Sequence, residues 1–290
     1  MTIYNLGSIN ADLFYRVPHL VGPGETLAAT ELTTGLGGKG TNMSVAAARA
    51  AARVVHIGAV GSDGRWAVER LLEYGVDTRH ISEVPAPTGH ANICVDDAGE
   101  NSIVILAGAN HEISEAAIGA ALAEASAGDS FLTQNETNGQ VIAARMAKDL
   151  GLRVIYAAAP FEAAAVEAVL PYLDVLVLNE VEAAQLVSET GTNLKDLPIS
   201  DIVVTRGANG CAWYHKGAAP QAFEAFEVTP VDTTGAGDTF TGFMVAGLDR
   251  GMPMAQAITL GMRAGALMVT RVGTADVIPD LKELQDHFSL

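Results

Sequence analysis

Basic residues are scarce in this sequence. Seventeen lysines and arginines stand against 34 aspartates and glutamates, a formal net charge of −17. A chain this acidic is repelled by phosphate backbones and anionic lipid, so neither nucleic acid nor a membrane is expected as a partner. A small anionic ligand is not excluded, because a few oriented amides can bind phosphate locally. Cysteine is nearly absent. Cys94 and Cys211 lie far apart and support neither a zinc site nor a disulfide framework. No run of about 18 apolar residues exists to cross a membrane. The opening MTIYNLGSINAD has no basic segment followed by an apolar one. A cytoplasmic location is the expectation. The seven histidines show no H-x-E or H-x₃-H spacing, and His56, inside an apolar run, reads as a packing residue.

What the chain does have is apolar bulk, 49% over 290 residues, enough for one large α/β domain. Short β-branched runs recur at Ile3–Ile9, Arg53–Val60, Ser130–Thr133, Arg153–Tyr156, Asp174–Leu178 and Asp201–Thr205. Alanine-rich helical stretches separate many of them: Met43–Ala52, Trp66–Tyr74, Glu115–Ala125, Val141–Leu150 and Glu180–Ser188. That alternation predicts a mainly parallel sheet covered on both faces, with ligands at the carboxyl ends of its strands. Residues 13–32 and 88–107 break the rhythm with strands and no helices. GHANICV and NSIVILA flank DDAGE, a hairpin signal with Gly99 at its turn. These segments predict a small lid. Two helices, Thr239–Arg250 and Met254–Thr270, are expected toward the end, broken at Gly251 and Pro253.

Two glycine-rich stretches carry chemistry. TTGLGGKGTN, residues 33–42, matches G-x-G-x-x-G through Gly35, Gly37 and Gly40. A dinucleotide turn needs an acid at the end of the next strand, and RVVHIGAVG ends without one. Lys39 is followed by Gly40 rather than Ser or Thr, so the Walker pattern fails as well. There remains a loop that lets backbone approach a ligand at Gly37 and Gly38. Lys39 and Asn42 offer donors suited to hydroxyls. Thr41 and Asn42 should open a helix with free amides aimed at the ligand. The plain alternative is a glycine turn before a helix. The second stretch, DTTGAGDTF at 232–240, sets Gly235, Ala236 and Gly237 before a helix, an arrangement of amides that suits an anion. Asp238 inside it makes sense as a base for a hydroxyl attacking a phosphoryl group. The plain alternative is an N-cap aspartate.

Together, GLGGKGTN before an alanine-rich helix and DTTGAGDTFTG near the end resemble the two signatures of the ribokinase family of carbohydrate kinases. GSINAD (7–12), PGET (23–26), AGENS (98–102), AGAN (107–110), NEVEA (179–183), TRGANG (205–210) and VTRVGT (269–274) match in order, across nearly the whole chain. The resemblance implies a single ribokinase-like three-layer α/β/α sandwich over residues 1–290, with a β-strand lid from about 11–34 and 88–107. It implies an ATP-dependent sugar kinase using Mg²⁺, with the 5-hydroxyl of D-ribose as the expected acceptor. Asn10, Asp12, Gly38, Lys39, Asn42 and Glu136 would bind the sugar. Asp238 would be the catalytic base, with Gly235, Ala236 and Gly237 as the anion hole. Asn179 and Glu182 would position Mg²⁺, through water, and the phosphates. Thr205 and Gly207 would line the nucleotide side. Ala91, Ile93 and Ile105 would wall the sugar from water. Alternatives are a kinase of the same family acting on fructose, ketodeoxygluconate or adenosine, and a sugar or nucleotide sensor without catalysis. An aromatic shelf for a nucleoside base is missing from 88–107.

Three departures from the family pattern stand out. NLKDLPIS replaces a helix usual between Glu189 and Ile202. The monovalent-cation site keeps Asp232 and Thr234, but Val277 occupies the serine position, so weak or moderate K⁺ activation is expected. The outward lid residues His90, Asn92 and Cys94 are more polar than the apolar clasp through which family dimers pair. A homodimer through the lid is still the expectation.

Overall fold

Successive strand residues point to opposite faces of a sheet, and here each face has its own core. Ile3, Val54, Leu132, Ile155, Val177 and Val203 pack on one side. Tyr4, Val55, Phe131, Tyr156, Leu176 and Val204 pack on the other. The computed structural model describes residues 1–288. Its main sheet has nine strands: β1 (Thr2–Leu6), β4 (Arg53–Val60), β5 (Asp77–Glu83), β8 (Ser130–Gln134), β9 (Arg153–Ala157), β10 (Val175–Asn179), β11 (Asp201–Thr205), β12 (Cys211–His215) and β13 (Gln221–Phe223). The order is β13-β12-β11-β10-β9-β8-β1-β4-β5, parallel except for β12 and β13 at one edge.

Five helices cover the first face: α1 (Lys39–Arg49), α2 (Arg65–Glu73), α7 (Ala236–Asp249), α8 (Met254–Met268) and α9 (Leu281–Phe288). Four cover the second: α3 (Glu115–Leu122), α4 (Gln140–Asp149), α5 (Ala163–Val169) and α6 (Glu180–Thr190). This is the three-layer α/β/α sandwich. Alanine and glycine on α1 and α7 let the two helices pack closely, and nearly all of α7 is buried.

A second sheet stands apart from the first. Its strands are β2 (Asn10–Arg16), β3 (Glu31–Gly37), β6 (Gly89–Val95) and β7 (Asn101–Leu106), in the order β3-β2-β6-β7. The β6–β7 pair is the hairpin expected around Gly99.

Several boundaries differ from expectation. β1 stops at Leu6, and the chain then crosses through Gly7 to Ile9 into the second sheet. α1 and α7 each begin a turn earlier than periodicity indicates, at Lys39 and Ala236, because glycine caps them. Asp238 therefore lies in the first turn of α7 and is not its N-cap; Gly235 is. The chain also has a third late helix, α9. Between α6 and β11 only a 3₁₀ turn, Leu194–Asp196, occupies the place of the missing helix.

Candidate active site

The carboxyl ends of β1, β8, β10 and β11 deliver Ser8–Asn10, Glu136, Asn179 and Thr205 to one end of the sheet. A cleft of about 220 Å³ opens there, lined by Lys39, Asn179, Glu182, Thr205, Gly237 and Asp238, with Gly235 at its edge. Two helix N-termini meet this region, and they are used differently.

The N-terminus of α1 is already satisfied. The Lys39 amide donates to Glu136 Oε2 at 3.0 Å, the Gly40 amide to Ser8 Oγ at 3.1 Å and the Thr41 amide to the Ser8 carbonyl at 2.9 Å. The expectation of free amides at Thr41 and Asn42 is therefore wrong; Asn42 N bonds the Gly38 carbonyl in the ordinary helical way. What α1 offers the cleft is side chains. The N-terminus of α7 is the opposite case. The Ala236 amide makes a long bond of 3.3 Å to the Thr233 carbonyl, and among the described residues the amides of Gly237 and Asp238 have no backbone partner. Amides left open at the positive end of a 14-residue helix are a site for an anion.

The two helices are joined at their tips. Asn42 Nδ2 donates to Asp238 Oδ2 at 2.8 Å, both groups buried, while Asn42 Oδ1 has no partner among the described residues. Asp238 thus faces α1 with one carboxylate oxygen fixed. Burial pushes its pKa up, opposed by the Lys39 ammonium and the Asn42 bond. The Lys39 pKa is raised chiefly by Asp238, against burial, with Glu136 and Glu182 adding to it. Glu136 is raised by burial, even though Lys39 and its bonds from Ser8 and the Lys39 amide oppose this. Asp12 is pushed up to about 7 by burial, then by Glu136 and Asp238. The Lys39 ammonium thus feels Asp238, Glu136 and Glu182, while Asp12 is coupled to Glu136 and Asp238 instead.

Asp12 needs its glycine neighbour. A Cβ on Gly37 would come within 2.0 Å of Asp12 Oδ2, so only glycine lets β3 lie beside that carboxylate. Asn10 is held by Asn110, whose Nδ2 donates to Asn10 Oδ1 at 2.8 Å while its own Oδ1 accepts from the Ile9 amide at 2.9 Å. Asn179 and Glu182 form a reciprocal capping box on α6: Glu182 N donates to Asn179 Oδ1 at 2.8 Å and Asn179 N to Glu182 Oε2 at 2.7 Å. The N-x-x-E spacing therefore has a structural use alongside any functional one. Burial raises the Glu182 pKa, and the group also feels Lys39 and Asp238.

Known proteins supply the decisive comparison. Residues 2–281 match the pfkB family carbohydrate kinases. The ribokinase of Haemophilus influenzae is 37% identical over 97% of this chain and 96% of its own. The structure of Arabidopsis thaliana ribokinase complexed with ribose and ATP superposes with a TM-score of 0.86 at 27% identity, covering 100% of this chain and 98% of that one. The ribokinase of Thermotoga maritima gives 0.89 at 28%, covering 100% and 99%. The chain belongs to the pfkB family of carbohydrate kinases.

In this pfkB-family chain Lys39, Asn179, Glu182, Thr205 and Asp238 line the cleft. Asn42, Glu136, Asp12 and Asn10 are not in that lining: Asn42 bonds Asp238, Glu136 accepts from the Lys39 amide, Asp12 feels the charges of Glu136 and Asp238, and Asn10 begins β2 two residues before Asp12. Gly38 caps α1. Gly207 sits just beyond β11 in an exposed 3₁₀ turn, outside the cleft lining. Asp232 lies at the rim, its two oxygens accepting from the amides of Thr234 at 2.9 Å and Gly273 at 3.2 Å. The Val277 carbonyl accepts from Arg271 at 3.0 Å.

Ser8 and Asn110 were given no role in the sequence reading. They touch the predicted residues directly, but a serine and an asparagine 102 positions apart carry no signal until the chain folds. Phe14 is a second omission. It shares the Asp12 face of the second sheet, outside 88–107. Ile105 pairs with Ala91 on that face, yet it is 61% exposed because β7 is an edge strand. The opposite face also needs correcting. Register sets His90, Asn92 and Cys94 beside Leu13, Tyr15, Leu32, Val104 and Leu106. The outer face is therefore mixed: apolar side chains on β2, β3 and β7 accompany the polar positions of β6, with Thr34 and Ser102 as further polar members.

Proposed function

We propose that this protein is an ATP-dependent sugar kinase that phosphorylates D-ribose on its 5-hydroxyl, giving D-ribose 5-phosphate and ADP. One observation carries the reading: the buried Asp238 carboxylate sits within the open amide end of α7 and is tied by Asn42 to the helix bearing Lys39. That arrangement places a base and an anion site side by side.

In this reading Asn10, Asp12, Lys39, Asn42 and Glu136 bind the sugar hydroxyls, with Gly38 giving backbone access. Glu136 Oε2 is engaged by the Lys39 amide and Ser8, so Oε1 is the oxygen left for the sugar. Asp238 takes the proton of the primary hydroxyl. The oxygen then attacks the γ-phosphorus, and the bond from that phosphorus to the bridging oxygen of ADP breaks. The Ala236 amide expected in the anion hole bonds Thr233, so the open amides of Gly237 and Asp238, carried by the Gly235–Ala236–Gly237 turn, stabilise with Lys39 the charge of the transferring phosphoryl group. Thr205 and Gly207 attend the nucleotide.

Among the described residues no group of three or more His, Cys, Asp or Glu is placed to hold a metal. Mg²⁺ is held mostly by phosphates and water, with one or two protein oxygens. Glu182 and Asn179 would hold it, through water, and the ion would neutralise phosphate charge. The monovalent-cation site retains Asp232, and Thr234 beside it, while Val277 brings no hydroxyl. We propose weak or moderate K⁺ activation.

No helix among the described residues is long and apolar enough to cross a membrane. The reading is of a cytoplasmic enzyme, and the net charge of −17 weighs against nucleic-acid or anionic-membrane partners. The second sheet acts as a lid that excludes water from the phosphoryl transfer, and its outer face pairs two copies into a homodimer.

The test is ADP release with ribose, deoxyribose, fructose, ketodeoxygluconate and adenosine. Ribose should give the highest kcat/KM. Turnover with adenosine alone would reject the assignment and would turn attention to Phe14 as a base shelf.

A further inference from the structure

Beneath the sugar side lies a buried polar chain that the proposed chemistry does not use. We propose that His56, Ser44, Asn5 and Gln134 form a positioning relay that fixes the first turn of α1, and with it Lys39 and Asn42, for the sugar acceptor.

The protons of this chain can be assigned one by one. His56 Nε2 lies 3.0 Å from the Gly7 carbonyl, which can only accept, so the ring carries its proton there. Nδ1 is then an acceptor, and Ser44 Oγ donates to it at 2.8 Å. Asn5 Nδ2 has two protons. One goes to Ser44 Oγ and the other to the Gly40 carbonyl, each at 2.8 Å. Asn5 Oδ1 accepts from Gln134 Nε2 at 2.8 Å. Every link from Gln134 to Gly7 runs in one direction, and all four side chains are buried. Burial holds the His56 pKa down at about 4, in keeping with a neutral ring.

The relay grips α1 where α1 meets β1. A Cβ on Gly40 would come within 2.3 Å of Gly7 Cα, so the two backbones touch there. His56 holds one side of that contact through the Gly7 carbonyl. Asn5 holds the other through the Gly40 carbonyl. Lys39 immediately precedes Gly40, and Asn42 follows two residues later to reach Asp238. The polar links are costly to bury unless all are made, and a slip of α1 along β1 would break at least two of them. The same turn is also held by the bonds of the Lys39, Gly40 and Thr41 amides to Glu136 and Ser8, and the relay adds a second, wholly buried set of links. The four residues come from β1, α1, β4 and β8 and touch neither sugar nor nucleotide in this reading, so they are positioning residues.

This inference rests on the assignment of Lys39 and Asn42 to the sugar, so its test has one arm that needs no turnover. Ser44→Ala removes the middle link with little change in volume; His56→Phe keeps a ring and removes both bonds. In hydrogen exchange, both variants should speed exchange of the Lys39, Gly40 and Thr41 amides by about tenfold or more, while amides in β10 and β11 stay within twofold. In kinetics, the acceptor KM should rise about tenfold with the ATP KM within twofold, as expected from misplacing one binding surface only. If His56→Phe does not fold, Ser44→Ala decides. Unchanged exchange at Lys39–Thr41, or equal rises in the two KM values, would overturn the relay. Faster exchange there in a protein that does not phosphorylate ribose would support the positioning role and reject the ribose assignment instead.

Discussion

Asp238 and Asp12 are both buried acids, yet the site asks different things of them. In the proposed reaction Asp238 must lose its proton, and Lys39 and Asn42 favour its charged form against burial. Asp238→Asn keeps the shape and a partner for Asn42 but removes the base. Turnover should fall roughly 10²–10⁴-fold or more, while sugar binding measured by calorimetry persists. A sensor would have had no turnover to lose, so wild-type ADP release separates the two classes. Asp12, pushed up to about 7, makes two predictions. Acceptor kcat/KM should fall as pH drops through about 7, and Asp12→Asn should flatten that limb, although Asp238 can contribute a limb of its own. Stability runs the other way. Between its ordinary value of 3.8 and about 7 the folded state holds a proton that the unfolded chain has lost. The fold is therefore favoured at low pH and loses stability as pH rises across that window. Asp12→Asn should raise the melting temperature at pH 8, by roughly 2–5 °C, with little effect near pH 4. An equal shift at both pH values would contradict this account.

At the scale of elements, the contrast between α1 and α7 organises the site. Both follow glycine caps, but α1 closes its amides onto Ser8 and Glu136, and α7 leaves its own open. In the proposed reaction one helix presents side chains to the acceptor and the other presents backbone to an anion. Gly40→Ala tests the packing of the first. Its Cβ would meet Gly7 and Ser8 backbone at 2.3–2.4 Å, and neither can yield as a side chain could. A loss of about 1–3 kcal/mol is expected from such overpacking, read by denaturant unfolding. The helix α6 is held by the Asn179–Glu182 box as well as facing the cleft. Glu182→Gln preserves the hydrogen-bonding shape while removing charge. It should raise the Mg²⁺ requirement for half-maximal rate with little change in melting temperature; a large stability loss would show that the box is its main use.

For the whole molecule, the proposed assembly is tested at the second sheet. Its outer face carries Val104 at 65%, Leu32 at 53% and Leu106 at 46% exposure. Exposed β-branched and leucine side chains on a sheet with an open edge strand invite association. Sedimentation should show a dimer, and Val104→Asp with Leu13→Arg should shift it toward monomer. A wild-type chain sedimenting only at the monomer mass would reject the pairing. Replacing potassium by choline should reduce turnover modestly; identical rates would remove the monovalent cation from the account.

The α/β alternation and the resemblance across nearly the whole chain were legible from sequence, because hydrophobic period and glycine spacing are local signals. The same is true of TGAGD as an open helix end, since that follows from glycine before an apolar run. Tertiary structure decided which amides remain available. TTGLGGKGTN reads as a loop with free donors until Ser8 and Glu136, remote in sequence, are found occupying them. The outer face of the second sheet depends on tertiary structure for the same reason. One strand gives His90, Asn92 and Cys94, and only the register with β2, β3 and β7 adds the apolar side chains. His56 read as packing, and it is buried; that it also links Gly7 to Ser44 depends on three strands and a helix meeting, which no linear spacing encodes.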